Sequence, residues 1–250
     1  MPRIEVNGCL LAVDSFGEGG PPVVFVSGCG DSSDVWDKVR GLLESLGLQL
    51  VTYDRPGTGL SAPLPDPSAA QTYLDAAREL HGLLSAAGVP TPRVLVGHSV
   101  GAVIAQSYAM NWPDDTAGLV LVDSSDLRLD MEIDQPELTF RDGSDSGGRL
   151  FDVLAGIREI EAGQLPTVPA AVVTSRVGRW VEEGHPEAWR PFTLEQLDER
   201  WQLGQRMLAE KLHARHIVAK TAGHYVHKEE PVLVAEAIKA VVDEVSSLHA

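Results

Sequence analysis

The stretch RVLVGHSVGA at positions 93–102 constrains the fold more than any other part of the chain. It predicts a short buried strand and then a helix from about residue 100, with Ser99 at the junction. Such a tight turn forces Ser99 into strained backbone angles, and a Cβ atom at Gly97 or Gly101 would collide with neighbouring backbone. The alternative is an ordinary N-cap serine at a glycine-rich helix start. The strand before it and the helix after it favour a hydroxyl nucleophile held above the end of a strand.

Strands and helices alternate along most of the chain. The N-terminal segments IEVNG and LLAVDSFG predict a hairpin, and later apolar runs predict strands at 23–28, 48–54, 93–97, 117–123, 169–175 and 215–220. Helices are predicted at 33–46, 71–87, 100–111, 195–212 and from Pro231 onward. This order is typical of parallel strands joined by right-handed crossovers. We therefore expect an α/β fold with a doubly wound, mostly parallel sheet, formed by residues 1–250 as one domain.

The alternation breaks after the sixth predicted strand, between positions 124 and 166. This segment holds acidic and glycine-rich parts (DLRLDMEIDQPE and RDGSDSGG) and then a predicted helix. A long excursion between two core strands is either a surface insertion or a lid over a pocket. Ligands of open parallel sheets bind beyond the carboxyl ends of the strands, where this excursion must also emerge. We therefore expect residues 124–166 to form a helical lid.

Composition excludes several classes of partner. The net charge of −16, from 36 acidic and 20 basic residues, disfavours nucleic acid and anionic membranes, which leaves a small molecule as the expected partner. No glycine loop of the P-loop type and no zinc-like His/Cys spacing occurs, so we expect neither a cofactor nor a metal. The two cysteines, Cys9 and Cys29, cannot form a disulfide framework, and the first residues lack a secretory signal pattern. A cytoplasmic location is expected.

The chain resembles the α/β-hydrolases, and among them the small serine esterases and lactonases. The resemblance rests on GHSVG and on four further stretches: VVFVSGCG (23–30), YDRPGTGLS (53–61), GLVLVD (118–123) and AGHYVHKEEPVLVAEAI (222–238). It implies a serine nucleophile, a general-base histidine, a supporting carboxylate and an oxyanion hole of main-chain N–H groups.

The loop after the first buried strand departs from the family pattern. Family members usually carry His-Gly-x-Gly there, whereas this chain has SGCG at 27–30. The resemblance implies that the backbone N–H of Cys29 and that of Val100 form the oxyanion hole, because main-chain donors survive the loss of the histidine side chain. The alternative for Cys29 is a small buried filler.

Among eight histidines, His224 is the best-placed general base. It lies in the loop TAGH between the last predicted strand and the final helix, where the family carries its catalytic histidine. His227 is the nearest rival, and its position favours a role at the start of the helix. His98 adjoins the nucleophile in sequence, and we expect it to pack.

The supporting acid is absent from its commonest place, because no carboxylate follows the strand PAAVVTS before Glu182. A subset of α/β-hydrolases carries the acid at the end of the preceding strand, and that strand ends here in Asp123. Asp123 is therefore the expected acid. A structural aspartate that binds the turn behind it is the other interpretation of Asp123. Asp126, Glu182, Glu183 and a dyad without a carboxylate stay open as alternatives.

Three residues are candidates for substrate binding: Arg176 and Trp180 near the expected mouth, and Met131 in the expected lid. A salt bridge to the acidic lid is the alternative for Arg176, and ordinary packing is the alternative for Trp180 and Met131. The predicted function is a cofactor-independent serine hydrolase that cleaves an ester or lactone of a small, largely apolar substrate through an acyl-enzyme. The second hypothesis is a non-catalytic ligand receptor or signalling protein on the same fold.

Overall fold

An eight-stranded sheet organises the molecule. The computed structural model describes residues 1–143 and 147–248. In chain order the strands are β1 (Arg3–Val6), β2 (Cys9–Phe16), β3 (Gly19–Val26), β4 (Leu48–Tyr53), β5 (Ala70–Gln71), β6 (Arg93–His98), β7 (Thr116–Val122), β8 (Thr139–Arg141), β9 (Leu150–Asp152), β10 (Ala170–Thr174) and β11 (Arg215–Val218). The main sheet has the order β1-β2-β4-β3-β6-β7-β10-β11, and β5, β9 and β8 form a separate small sheet.

Helices cover both faces of the main sheet. They are α1 (Asp37–Leu43), α2 (Tyr73–Ala86), α3 (Val100–Asn111), α4 (Leu127–Met131), α5 (Val153–Ala162), α6 (Arg179–Glu183), α7 (Leu194–Lys211), α8 (Val226–Glu229) and α9 (Pro231–Leu248). Short 3₁₀ segments extend α1 on both sides, so the helical stretch predicted for 33–46 is three consecutive pieces. None of the helices in the described ranges is long and apolar enough to cross a membrane.

The sheet is mostly parallel, as predicted. Neighbouring strands from β4 through β3, β6, β7 and β10 to β11 run parallel, while the β1–β2 and β2–β4 pairs are antiparallel. Successive residues of β3 point to opposite faces: Val23 and Phe25 pack in one apolar cluster, Val24 and Val26 in the other. Burial on both faces explains why the core strands are continuous apolar runs in the sequence.

The excursion between β7 and β10 contains α4, β8, β9 and α5. Its strand β9 pairs with β8 and with the short β5, which lies far upstream in the chain. Its helix α5 packs against α2 and α3, with Gly156 placed directly against the ring of Tyr73. Residues 144–146 of the predicted lid lie outside the described residues.

Candidate active site

Ser99 occupies a strained turn between β6 and α3. Its backbone angles are φ 53° and ψ −122°, a conformation that side-chain-bearing residues rarely adopt. The glycines on either side explain how the turn is tolerated: a Cβ at Gly97 would strike the backbone of Gly101 and Ala102, and one at Gly101 would strike the carbonyl oxygens of β3 and its following residue. Ser99 is thereby placed at the carboxyl end of the sheet, where it lines a cavity.

Asp123 and His224 form a direct pair beside this turn. Nδ1 of His224 lies 2.7 Å from Oδ2 of Asp123, although 101 positions separate them in the sequence. Asp123 follows β7 and Ser99 follows β6. The last residues of these strands, Val122 and His98, pair with each other, so Asp123 and Ser99 lie side by side where the two strands end. Asp123 also has a positive φ of 43°, so both strand ends turn through strained residues.

The Asp123 carboxylate is fully buried and has several partners. Oδ1 accepts hydrogen bonds from the backbone N–H of Ser175 and from the indole Nε1 of Trp201, both at 2.9 Å. The guanidinium of Arg179 lies 3.7 Å from Oδ2. Burial alone would raise the pKa of Asp123, but the bond from His224, the charge of Arg179 and the Ser175 N–H hold the pKa below its usual value. Asp123 is therefore held as a carboxylate.

Two consecutive glutamates fix the loop that carries His224. The Glu230 carboxylate accepts hydrogen bonds from the backbone N–H groups of Lys220, Thr221 and Ala222 and from the Thr221 hydroxyl. Glu229 accepts from the N–H of Gly223 at 2.7 Å. Desolvation would raise the pKa of Glu230, yet these donors lower it to about 2. The backbone before His224 is thus tied to the turn that begins α9.

The Ser99 hydroxyl lies 3.3 Å from the Ser125 hydroxyl, which is the hydrogen-bond partner of Ser99 Oγ among the described residues. The His224 side chain is 28% exposed to solvent. Its hydrogen bond to Asp123 uses Nδ1, so Nε2 is free to bind another partner. Rotation about the Cα–Cβ bond redirects a serine hydroxyl, and catalytic hydrogen bonds often tighten only when substrate is bound.

Two residues beside the cavity carry main-chain N–H groups for which the described residues provide no acceptor. Cys29 and Val100 line the same cavity as Ser99. Within the described ranges, neither of their backbone N–H groups donates a hydrogen bond to another protein group. Val100 is the first residue of α3, where N–H groups have no partner inside the helix and the helix dipole favours negative charge. The pair is suited to receive a carbonyl oxygen on which charge develops.

The cavity over Ser99 has a volume of about 1190 Å³. One wall comes from the 124–166 excursion, and the other comes from residues 187–190, which follow α6. The apolar lining residues from these walls are Ile133, Phe140, Val153, Ala188 and Trp189. Asp130, Asp134, Glu137 and Glu187 add four carboxylates, against the two guanidinium groups of Arg141 and Arg190. Burial and the nearby carboxylates of Asp126 and Glu137 raise the pKa of Asp130 to about 7.

The two other histidines near the site are enclosed. His227 is fully buried and stacks against Trp36 with ring centroids 4.4 Å apart, and burial lowers its pKa to about 3. Nε2 of His98 lies 2.9 Å from the backbone carbonyl oxygen of His224; since a carbonyl oxygen only accepts, this nitrogen carries the hydrogen and donates a hydrogen bond to the carbonyl. His98 therefore supports the loop of His224 from behind.

The other candidate acids have other partners than His224 among the described residues. Asp126 caps α4 by accepting hydrogen bonds from the N–H groups of Arg128 and Leu129. Glu182 and Glu183 both bind Arg176, at 2.6 Å and 2.8 Å. Within residues 1–143 and 147–248, Arg176 thus forms its ion pairs with α6 and not with the 124–166 excursion, and it is not one of the residues lining the cavity.

Trp180 and Met131 do not line the cavity either. Trp180 is 9% exposed and packs with Leu129, Leu197 and Trp201. Met131 is the last residue of α4 and half-buried. Sequence patterns did not identify the residues that form the walls, because most of them lie in very short elements or in connecting segments, whose side-chain directions are not fixed by periodicity. Ser125 and the glutamates of HKEEP were also missed as parts of the site, although the glutamates stand inside a stretch that supports the family resemblance.

No set of three or more His, Cys, Asp or Glu side chains is grouped as metal ligands would be within residues 1–143 and 147–248.

A strained serine at the end of a parallel strand, with an Asp–His pair beside it, is the arrangement expected of one large family. A model of the Alpha/beta hydrolase family matches residues 23–237. The chain belongs to the alpha/beta hydrolase family. The match includes Ser99, Asp123 and His224, and membership places the chain among the hydrolases of the α/β fold.

Individual relatives and structures are similar over different lengths. Over 105 residues the chain is 42% identical to the "Putative carbamate hydrolase RutD" of Klebsiella pneumoniae (strain 342), a match that covers 42% of this chain and 38% of that protein. A thermophilic esterase from Thermogutta terrifontis has a TM-score of 0.67 and 20% identity, covering 98% of this chain and 99% of the other. The enol-lactonase from Burkholderia xenovorans LB400 has a TM-score of 0.66 and 17% identity, covering 97% and 100%. At these identities the two structures show the shared fold.

Proposed function

We propose that the chain is a cofactor-independent serine hydrolase that cleaves an ester or lactone through an acyl-enzyme. The observation that carries the proposal is the 2.7 Å contact between Asp123 and His224, next to the strained turn of Ser99. An imidazole bound to a buried carboxylate has its tautomer fixed with the proton on Nδ1, so Nε2 is free to accept a proton from a serine hydroxyl.

The proposed reaction has two halves. Ser99 Oγ attacks the carbonyl carbon while His224 Nε2 takes the hydroxyl proton, and the N–H groups of Cys29 and Val100 hold the oxyanion. The imidazolium, stabilised by Asp123, then gives its proton to the leaving alcohol oxygen, and the C–O bond breaks. A water molecule attacks the acyl-enzyme by the same route and releases the acid.

The lining of the cavity supports a neutral substrate. Phe140 and Trp189 offer apolar surface from opposite walls, whereas the carboxylates of Asp134, Glu137 and Glu187 outnumber the two lining guanidinium groups and disfavour anionic substrates. We propose that residues 124–166 serve as the lid expected from the sequence, because Ile133 and Phe140 come from that segment. A volume of about 1190 Å³ admits acyl groups larger than acetyl. The cytoplasmic location stays a prediction.

Two alternatives to ester or lactone hydrolysis, a receptor and a carbamate hydrolase, are supported to different degrees. The receptor hypothesis drew partly on the absence of the acid from its usual place, and the contact of Asp123 with His224 weakens that ground. A receptor that keeps all three residues is distinguished by the probe experiment below. Carbamate hydrolysis uses the same nucleophile, and it is the activity in the name of the RutD relative. That match covers less than half of either protein, so a carbamate is a second substrate class for the test and not the leading one.

A fluorophosphonate probe and a substrate panel test the proposal. We expect the probe to label Ser99 in the intact protein and to leave Ser99→Ala unlabelled. p-Nitrophenyl esters of increasing acyl length, simple lactones and an aryl carbamate, each run with Ser99→Ala as control, then rank the bond types. A folded protein that is inert to the probe and to every substrate of the panel would overturn the proposal.

A further inference from the structure

Arg55 lies directly beneath the loop that carries the proposed oxyanion donor Cys29. It belongs to the stretch YDRPG after β4, and its side chain is only 2% exposed. Nη1 donates a 2.6 Å hydrogen bond to the carbonyl oxygen of Ser27, and Nη2 donates one of 2.5 Å to the carbonyl of Gly28. One guanidinium therefore holds the two residues that precede Cys29.

Asp142 holds the other side of the same loop. Its carboxylate is fully buried and accepts two hydrogen bonds from Arg55, at 2.5 Å from Nε and 2.9 Å from Nη2. Oδ1 also accepts a 2.8 Å hydrogen bond from the backbone N–H of Gly30, the residue after Cys29. Gly30 has a φ of 73°, which suits glycine, so this donor depends on a backbone bend. The Cys29 thiol adds a contact to the carbonyl of Arg141.

These contacts enclose Cys29 between two anchored neighbours. Gly28 is fixed through its carbonyl by Arg55, and Gly30 is fixed through its N–H by Asp142. The ion pair therefore holds the backbone on both sides of Cys29 and helps to set the direction of the Cys29 N–H. Asp142 comes from the 124–166 excursion, so its buried carboxylate, together with the Arg141 carbonyl that the Cys29 thiol contacts, connects the excursion to the 27–30 loop.

We infer that Arg55 and Asp142 are positioning residues for catalysis, which couple docking of the 124–166 excursion to assembly of the oxyanion hole. The inference rests on the proposed function, because it assigns the Cys29 N–H to the oxyanion. The inference goes beyond that function, because it makes the chemical step depend on the 124–166 excursion, which contributes no reacting group. The family's usual histidine is absent from this loop, and the ion pair supplies the support in another way.

The buried position of the pair argues for positioning over bulk stability. Two charges lose their hydration when they are buried, so replacing a buried ion pair by apolar residues is often neutral or stabilising. The fork geometry of arginine can bind a carboxylate and two carbonyl groups at once, whereas lysine offers a single point charge. Loss of a catalytic donor by reorientation is expected to slow the chemical step and to leave substrate binding unchanged.

The chain offers a matched control. Arg149, from the same excursion, forms a second buried ion pair with Glu79 of α2 at 2.8 Å. The side chains of Arg149 and Glu79 are 3% and 7% exposed. Neither residue contacts the 27–30 loop by any hydrogen bond in the described part of the chain. Glu79→Gln therefore breaks a comparable ion pair of the excursion and removes no hydrogen bond of the 27–30 loop, while the backbone hydrogen bond from Asp142 N–H to the Arg149 carbonyl is left in place.

The test compares Asp142→Asn with Glu79→Gln in the full-length protein. Hydrogen exchange read by mass spectrometry follows the amides of residues 27–31, steady-state kinetics with the best substrate gives kcat and KM, and thermal unfolding gives Tm. We expect Asp142→Asn to speed exchange in 27–31 and to lower kcat by roughly 10²-fold at unchanged KM, as expected for loss of one oxyanion donor. Glu79→Gln should change neither quantity, whatever it does to Tm.

A double variant distinguishes the proposed positioning effect from a loss of activity caused by unfolding. Arg55→Met with Asp142→Leu removes both charges, so no unpaired charge stays buried. We expect it to remain folded and to show the same faster exchange and the same loss of kcat. Exchange and kcat equal to those of Glu79→Gln, in either Asp142 variant, would overturn the inference. If the wild-type protein hydrolyses nothing, the proposed function fails, and the exchange data alone decide whether the ion pair fixes the loop.

Discussion

The indole N–H of Trp201 donates a hydrogen bond to Oδ1 of Asp123, at the same time as His224 binds Oδ2. Trp201 belongs to α7 and lies 78 positions after Asp123. The carboxylate is thereby held in one orientation from a helix that contributes no reacting group. Its neighbour Trp180 stacks edge-on against Trp201, and the Nε1 of Trp180 is buried without a hydrogen-bond partner among the described residues.

We expect Trp201→Phe to reduce kcat by roughly tenfold, because a hydrogen bond to a charged group contributes about 1.5–3 kcal/mol and part of that is regained by rearrangement. Phenylalanine keeps most of the ring packing while it removes the N–H donor. Trp180→Phe is the matched control, since it changes the same kind of ring without removing a bond to Asp123. Equal kinetics for the two variants would show that the Trp201 N–H does not support the carboxylate.

Asp123→Asn should lower kcat by about 10⁴-fold with the fold preserved, because an amide cannot stabilise the imidazolium and permits the wrong histidine tautomer. The measurement is kcat for the best ester or lactone, together with the rate of fluorophosphonate labelling. Asp126→Asn serves as the control, because Asp126 caps α4 and does not touch His224. A near-wild-type rate in Asp123→Asn would remove Asp123 from the catalytic machinery.

Cys29→Ala should keep kcat within a small factor of the wild-type value. Burial and the charge of Asp142 raise the pKa of the Cys29 thiol to about 11, so the thiol is protonated near neutral pH and unreactive. The proposed role belongs to the backbone N–H, which alanine retains. Steady-state kinetics and resistance to iodoacetamide check this expectation. Loss of most activity in Cys29→Ala would point to a role for the sulfur.

The titration of Glu230 makes the free energy of unfolding depend on pH in the acid range. Its pKa of about 2 in the folded protein lies below the ordinary value of 4.5, so the folded state holds the charged form more strongly than the unfolded chain does. The stabilisation is therefore complete above about pH 5 and disappears as the pH falls from 4.5 towards 2.

Chemical denaturation of the wild type and of Glu230→Gln across this pH range tests the linkage. We expect the difference in the free energy of unfolding to be largest above pH 5 and to shrink steadily below it. Glu236→Gln, on the exposed side of α9, provides a variant with the same charge change. A difference between wild type and Glu230→Gln that is independent of pH would contradict the assignment.

Gly101→Ala should lower the free energy of unfolding by about 1–3 kcal/mol, because the added methyl group would meet the carbonyl oxygens of Val26 and Ser27. Gly41→Ala is the control within α1, where a Cβ meets no atom within 4 Å. That substitution should raise stability by about 0.5–1 kcal/mol through helix propensity. Urea denaturation of both variants distinguishes crowding at the turn from a general effect of replacing glycine.

Local patterns predicted the fold and the strained turn at Ser99. The apolar runs of β3, β6 and β7 are buried on both faces, so each reads as a strand on its own. The turn at Ser99 needs glycine two positions before and after it, which is a constraint within five residues. The ends of the long helices were predicted to within a few residues. The short helices α6 and α8 were not predicted at all, because a segment of four or five residues carries no periodic signal.

The walls of the cavity show where this reasoning stops. Arg176, Trp180 and Met131 were candidates because of their place along the chain, yet the structure pairs the first with α6, buries the second in an apolar cluster and leaves the third out of the lining. Trp189 and Phe140 line the cavity instead. A residue's position in a connecting segment or in a helix or strand of three to five residues does not fix the direction of its side chain, because that direction depends on contacts with distant segments.

By itself the sequence determined a parallel α/β sheet and a serine forced out at a strand end, since periodicity and local sterics act over a few neighbouring residues. Only the tertiary structure decided which carboxylate meets His224, and which buried ion pair holds the loop of Cys29. Those contacts join residues that are roughly ninety to a hundred positions apart. The packing of the whole sheet decides which residues so far apart in the chain come into contact, so no short sequence pattern can predict these contacts.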